Sequence, residues 1–152
     1  MSLKDKISEE MKAAMKSGNK LRLETLRTVR AALMEKEIEL RGNGTAMTPD
    51  HETGVLNTAA KKRKESIEVF QKGGRPELAE QEAKELVIIQ EFLPKQLSDA
   101  EVEGLIREVI TQTGAAGSGD FARVMPLVMK QVKGKADGKM VQELVRKALG
   151  GS

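Results

Sequence analysis

The stretch "LNTAAKKRKESIEVFQKGGRPELAEQEAKELVIIQEF", from Leu56 to Phe92, holds two helical stripes, one on each side of a double glycine. The stripes, with spacings of three and four residues, are Leu56, Ala60, Arg63, Ile67 and Phe70 before the glycines, and Leu78, Glu82, Glu85, Ile89 and Phe92 after them. This spacing is typical of one face of an α-helix. Gly73 and Gly74, followed by Arg75 and Pro76, lie between the two stripes. The stretch therefore predicts an antiparallel pair of helices that turns at the glycines.

The fold-back places a charge opposite a charge. Residues whose numbers sum to about 148 lie across from each other, so Arg63 faces Glu85 between two otherwise apolar seams. An ion pair that fixes the register is the favoured interpretation, because an unpaired charge on such a seam is costly. The alternative is that Arg63 binds an anion, since Lys61, Lys62 and Lys64 stand beside it.

The rest of the chain also shows helical periodicity, so the predicted fold class is all-α. A first helix, capped by Ser2, is expected to run to about Ser17. Further helices are expected over about Lys20–Arg41, Pro49–Lys72 and Pro76–Glu91, followed by three shorter ones that end near Leu149. Pro94 stops the fourth helix, and Ser98 with Glu101 forms a capping box for the fifth. The sequence predicts an N-terminal four-helix domain over residues 1–94 and a smaller three-helix domain over residues 95–152.

Composition limits the chemistry. The 152 residues contain no Cys and one His, and the formal net charge is only +3. His51 is expected to be an exposed first-turn residue, because no Cys or second His can complete a catalytic dyad or a metal site. The charged start and the absence of a long apolar run predict a soluble cytoplasmic protein with no membrane segment and no cofactor.

Charge is unevenly distributed in the second domain. Residues 98–120 carry five acids and one cation, a net of −4, whereas residues 121–152 carry seven cations and two acids, a net of +5. The cations of the second part are Arg123, Lys130, Lys133, Lys135, Lys139, Arg146 and Lys147. This asymmetry indicates an anionic partner. With no Tyr or Trp in the chain, base stacking of the single-strand-binding kind is not expected.

The stretch "VKGKADGKMVQELV", from Val132 to Val145, runs through a glycine-lysine turn into the last helix. Asp137 is predicted to be the N-cap, with its carboxylate accepting from the amides of the first turn. That carboxylate argues against a phosphate at the helix tip. We expect Lys130, Lys133, Lys135 and Lys139 to hold an RNA backbone on the surface; exposed lysines without a partner are the alternative.

These motifs resemble the GatB/YqeY family over essentially the whole chain. The resemblance rests on "GGR", "FLPKQLS" and "KGKADGKMVQELV", which occur in the family's order and spacing. It implies an N-terminal helical domain and a C-terminal domain similar to the tail of the GatB component of the aspartyl/glutamyl-tRNA amidotransferase. That enzyme is a carbon–nitrogen ligase with glutamine as amido donor, and its tail contacts tRNA. The resemblance carries that contact onto a set of residues, Lys130, Gly134, Lys135, Ala136, Asp137 and Lys139.

The resemblance does not extend to catalysis. The catalytic parts of the amidotransferase have no counterpart in this chain, so we expect a tRNA-binding or amidation-associated accessory protein without its own catalytic centre. The alternative is a helical adaptor that docks on a synthetase or another translation protein. Pro126 departs from the family, which commonly has glycine there, and proline should distort the sixth helix unless it lies in the first turn.

Overall fold

The structure, a computed structural model, describes residues 2–150 of the chain. Within that range it contains α-helices and one short 3₁₀ segment, and no strand. The α-helices are α1 (Leu3–Ser17), α2 (Lys20–Gly42), α3 (Pro49–Lys72), α4 (Pro76–Gln90), α5 (Asp99–Thr113), α6 (Phe121–Val132) and α7 (Gly138–Ala148). The predicted all-α fold class is confirmed. Contacts divide the chain into two compact units, of which the first ends at Leu93 and the second begins at Pro94.

The first unit packs α1 to α4 around one apolar core. Its fully buried side chains come from all four helices, and the largest are Ile7, Leu26, Leu33, Leu56 and Ile89. Burying such side chains contributes about 2 kcal/mol each, which is the main source of stability in a helical bundle without disulfides. Phe92 packs against the same cluster as Leu56, as the register of the hairpin predicts.

The hairpin of α3 and α4 turns at the double glycine. Gly73 ends α3, and Gly74 has a φ of 71°, in the left-handed region that glycine adopts without strain. A Cβ on Gly73 would lie 3.2 Å from the Val69 carbonyl oxygen, so the turn is also tight. Arg75 occupies the N-cap position of α4 without a capping bond, and its Nε lies 2.9 Å from Glu77 Oε1. The turn therefore depends on the glycines and not on a side-chain cap.

The second unit packs α5, α6 and α7 around a core dominated by valine. Fully buried positions include Val102, Ile106, Val124, Val128 and Val141. Valine and isoleucine side chains have few rotamers, so this small core is well specified. The helical spacing of α7 predicts that Ala148 points into the core, but Ala148 is exposed, and Val145 and the C-cap residue Leu149 are buried instead.

Two residues singled out by sequence have ordinary structural surroundings. Pro126 lies beyond the first turn of α6, yet the helix continues to Val132. Pro126 and Ala122 are both exposed, so the carbonyl that loses its donor can be hydrated. His51 is half-buried and not fully exposed as expected, and its ring completes a capping box, because the Thr48 amide donates to His51 Nδ1 at 3.1 Å. None of the helices within residues 2–150 is both long and apolar enough to cross a membrane.

Candidate nucleic-acid interface

The turn between α6 and α7, which we call the lysine turn, comprises residues 133–137. It follows Val132, a fully buried residue, and the Lys135 amide donates a 2.8 Å hydrogen bond back to the Val132 carbonyl. Gly134 has a φ of 78°, which requires glycine, and Ala136 packs against the core of the unit. The turn is therefore anchored by Val132 and Ala136, and the side chains of Lys133 and Lys135 stay exposed.

A second segment of the chain holds the lysine turn from outside. The Leu97 amide donates a 2.8 Å hydrogen bond to the Lys135 carbonyl, and Gln96 Nε2 donates to the Gly134 carbonyl at 2.9 Å. Gln96 Nε2 also donates to the Pro94 carbonyl at 2.8 Å. The segment "PKQLS" and the turn "KGKAD" thus form one hydrogen-bonded loop pair, which fixes the turn more firmly than its own backbone bond would.

Most of the lysines around this loop pair carry charge that the fold does not neutralise. Lys130, Lys133, Lys135 and Lys139 are all exposed. Within the described part of the chain, Lys130, Lys135 and Lys139 form no ion pair. Lys139 in particular is unpaired although Glu143 follows it by four residues. These three side chains are available for a phosphate backbone at no cost in internal salt bridges.

Two other cations of the second unit, Arg123 and Arg146, are engaged internally. Arg123 Nη2 lies 3.2 Å from Asp120 Oδ1, and the guanidinium of Arg146 stacks over the Phe121 ring at 5.1 Å. Asp120 also accepts from the Ala116 amide at 2.9 Å, and that bond above all lowers the pKa of Asp120. Arg123 and Arg146 therefore brace the start of α6, whereas the exposed Arg107 and Lys147 have no ion pair in the described chain.

Lys95 is part of the same surface, and reasoning from sequence missed it. It is exposed and immediately precedes Gln96, so the hydrogen bonds of Gln96 and Leu97 bring it beside the lysine turn. The backbone amide of Ser98, and to a smaller extent Lys95, lowers the pKa of Glu101. We call the set Lys95, Lys130, Lys133, Lys135 and Lys139 the lysine surface. Its signal in the sequence was the lysine inside "FLPKQLS".

The prediction for the Asp137 side chain is wrong. Asp137 is the N-cap residue of α7 and has the extended backbone of a cap, but its side chain makes no capping hydrogen bond. Its carbonyl accepts the first intrahelical bond, from the Val141 amide at 3.0 Å. The backbone pattern fixes the cap position, whereas the exposed carboxylate is free to point to water. Asp137 therefore does not occupy the first-turn amides, and only its charge opposes an anion there.

The structural residues of the hairpin lie in the first unit. Arg63 Nε is 3.7 Å from Glu85 Oε2, and the two side chains are 14% and 18% exposed. The distance allows an ion pair but no hydrogen bond, and Arg63 Nε is buried without a hydrogen-bond partner. Burial, followed by the neighbouring Glu82, raises the pKa of Glu85, and Arg63 opposes that rise. The pair agrees with the predicted register.

Metal-binding side chains are not clustered in the described residues. No cluster of three or more His, Asp or Glu side chains in residues 2–150 has the geometry of a metal site. His51 is far in sequence from the lysine turn and serves α3 as a capping residue. The chemistry that the candidate site offers is electrostatic, with exposed ammonium groups on a fixed backbone.

Two curated proteins are similar in sequence to this chain, at low identity. The protein "Altered inheritance of mitochondria protein 41, mitochondrial" of Lachancea thermotolerans is 29% identical over 108 residues, covering 70% of this chain and 57% of that protein. Its namesake in Pyrenophora tritici-repentis is 25% identical over 149 residues, covering 95% of this chain and 80% of that protein. This chain thus spans little more than half of the Lachancea relative. Both names place those proteins in mitochondria, whereas the sequence predicts a cytoplasmic location here.

The family is shown by a broader match. The Yqey-like protein family matches residues 4–149, which include both units, the double-glycine hairpin and the lysine turn. The chain belongs to the Yqey-like protein family.

Proposed function

We propose that this protein binds structured RNA, in the first instance tRNA, through the lysine surface of its second unit, and that it acts as an accessory protein without a catalytic centre. The observation that carries the proposal is the loop pair. Two hydrogen bonds, from Gln96 and Leu97, hold a turn whose lysines are exposed, and Lys135 and Lys139 have no ion pair in the described chain.

The physics of the surface favours backbone contacts over base recognition. Lysine is a point charge that neutralises phosphate without reading sequence. The chain has no Tyr or Trp, and Phe121 stacks on Arg146, so no aromatic platform for unstacked bases is supplied there. An RNA with a folded backbone, which places several phosphates close together, suits such a surface better than an extended single strand.

The resemblance of the second unit to the GatB tail of the tRNA amidotransferase supports tRNA as the RNA. The shared residues are those of the lysine turn and of the start of α7, including Gly134, Asp137 and Lys139. No cofactor enters this proposal, and a carbon–nitrogen ligase reaction would require catalytic parts from another protein. The proposal therefore assigns binding to this chain and leaves chemistry to a partner enzyme.

Matched lysine variants test the proposal. Replacing Lys135 and Lys139 by Ala should weaken tRNA binding at 0.1 M salt by at least about fivefold. The control replaces Lys61 and Lys64, two exposed lysines of α3 that also form no ion pair in the described chain. That control should bind as the wild type does. Equal losses in both double variants would show that only net charge matters and would contradict the assignment of the site.

The adaptor alternative predicts a different result. A helical adaptor that docks on a synthetase should retain its protein partner as salt is raised, because apolar contacts are insensitive to screening. The same double lysine variant should then leave that association unchanged.

A further inference from the structure

A groove runs between α2 and α3 in the first unit. It has a volume of about 550 Å³. Its floor is built from small and aliphatic side chains of both helices: Val29 and Ala32 of α2, and Gly54, Val55 and Ala59 of α3. A Cβ placed on Gly54 would meet no atom within 4 Å, so the groove is open above that residue. Small residues on facing helices allow a third backbone to approach closely.

The groove has ends of opposite charge. On α3 its lining runs from Asp50 at one end to Lys62 and Arg63 at the other. On α2 the lining includes Glu35 and Glu39. The start of α1 contacts both helices of the groove. Lys4 Nζ lies 3.1 Å from Glu37 Oε2 of α2, and the Leu3 amide donates to Glu52 Oε2 of α3 at 3.0 Å.

Residues near 37 on α2 are therefore level with residues near 52 on α3. The Asp50 end carries three acids, Glu35, Glu39 and Asp50, and one cation, Lys36, whose Nζ lies 3.4 Å from Glu39 Oε1, so the net formal charge of this end is −2. The opposite end carries Lys62 and Arg63. Lys62 forms no ion pair within the described residues. A bound segment would thus meet negative charge at one end and positive charge at the other.

Arg63 adds an incompletely paired guanidinium to the positive end. It lines the groove and also faces Glu85 on α4, but at 3.7 Å it makes no hydrogen bond there, and its Nε has no partner. Buried donors are nearly always paired in native structures, so an incompletely paired guanidinium calls for an explanation. A carboxylate bound beside Lys62 would add a second negative charge near the Arg63 guanidinium, which Glu85 Oε2 approaches only to 3.7 Å.

We propose that this groove is the docking site for a helix of a partner protein. The partner helix has an apolar stripe, a carboxylate at the end against Lys62 and Arg63, and a cation at the end against Glu35 and Glu39. The groove spans residues 50–63 of α3, which corresponds to roughly 20 Å of helix, so the docked segment has three to four turns. This surface is separate in the sequence from the lysine surface and does not depend on RNA binding.

A synthetic helical peptide is the probe. It has fourteen residues, blocked ends, an alanine-leucine stripe, two Lys at one end and two Glu at the other, and a fluorophore for anisotropy. The full chain should bind it saturably, and Lys62→Glu should weaken binding at least fivefold. Lys61→Glu makes the same charge change on an exposed lysine outside the groove and should alter binding less than twofold.

A second pair of changes tests the shape and the carboxylate. Gly54→Leu fills the open groove and should abolish binding, while circular dichroism should still show a folded helical protein. Replacing both peptide Glu by Gln should weaken binding as much as Lys62→Glu does. Absence of saturable binding, or equal effects of Lys61→Glu and Lys62→Glu, would overturn the proposal.

Sedimentation of the chain alone decides between a partner helix and a second copy. The proposal expects the sedimentation behaviour to be the same for the wild type and for Lys62→Glu. Self-association of the wild type that Lys62→Glu abolishes would assign the groove to a second copy and overturn the partner-helix proposal.

Discussion

The backbone amide of Leu97 donates a 2.8 Å hydrogen bond to the carbonyl of Lys135, so the segment before α5 is fastened to the turn before α7. This bond and that of Gln96 to Gly134 place Lys95 beside the lysines of the turn. The positive surface therefore depends on contacts between two parts of the chain that are 38 residues apart. Changes that loosen these contacts should affect RNA binding through position and not through charge.

Gln96→Ala removes the side-chain clamp on Gly134. Two hydrogen bonds of Gln96 Nε2 are lost, so we expect the free energy of unfolding of the second unit to fall by about 1 kcal/mol. The affinity for tRNA should fall while its dependence on salt stays the same, because no charge is removed. Gln112→Ala, at an exposed position of α5, is the control and should change neither quantity. A reduced salt slope in Gln96→Ala would contradict a purely positional role.

Asp137→Ala should have almost no effect on stability. The carboxylate makes no capping hydrogen bond, so its removal forfeits none. Ser98 is the comparison, because its hydroxyl accepts from the Glu101 amide at 3.2 Å and Ser98→Ala should cost about 1 kcal/mol. Chemical denaturation measures both variants. Asp137→Ala should also tighten RNA binding, since it removes a negative charge from the edge of the lysine surface. A loss of about 1 kcal/mol in Asp137→Ala would show that the Asp137 carboxylate does cap α7.

The Arg63–Glu85 pair should show strong coupling in a double-mutant cycle. Arg63→Met alone leaves a half-buried carboxylate without its cation and should destabilise the first unit by about 2 kcal/mol. Combining it with Glu85→Leu should recover most of that loss, because both charges are then gone from the seam. Thermal unfolding of the four proteins measures the cycle. If the two single losses add, the pair does not act as a unit.

Glu82→Gln should stabilise the first unit increasingly as pH rises. Burial first, and then Glu82, raises the pKa of Glu85 above its usual value. A raised folded pKa means that protonated Glu85 contributes stability below the ordinary carboxyl pKa, and that this contribution is lost as pH rises through the folded value. Removing the charge of Glu82 lessens the loss. The difference in unfolding free energy between variant and wild type should therefore be near zero at about pH 4 and larger at about pH 7. A difference that is constant with pH would contradict the interaction.

Helix positions could be predicted from the sequence because their signals are local. Each signal acts within one turn of the helix end that it marks. The examples are the glycines at 73 and 74, the proline at 76 and the capping box of Ser98. The register that sets Arg63 against Glu85 follows from a short turn and a constant rise per residue. The Asp137 position was correct for the same reason, whereas its side-chain bond depends on a rotamer that no spacing reveals.

The loop pair and the groove could not be predicted in this way. The contact of Gln96 with Gly134 joins a side chain to a backbone carbonyl across two helices, and it leaves no periodic pattern. The groove between α2 and α3 is a gap between packed helices, so its existence depends on how far apart the helices lie. Lys95 was missed because it stands alone in its segment and joins the other lysines only in the folded chain.

The salt dependence of tRNA binding tests the central claim most directly. The dissociation constant is measured from about 50 to about 300 mM KCl for the wild type and for the variant in which Lys130, Lys135 and Lys139 are all Ala. These three lysines are exposed and have no ion pair in the described chain, so the melting temperature should be nearly unchanged. The slope of log affinity against log salt should fall by about 0.9 for each lost phosphate contact, or about 2 to 3 in total. A variant that binds tRNA with the wild-type slope would show that these lysines do not contact the RNA backbone.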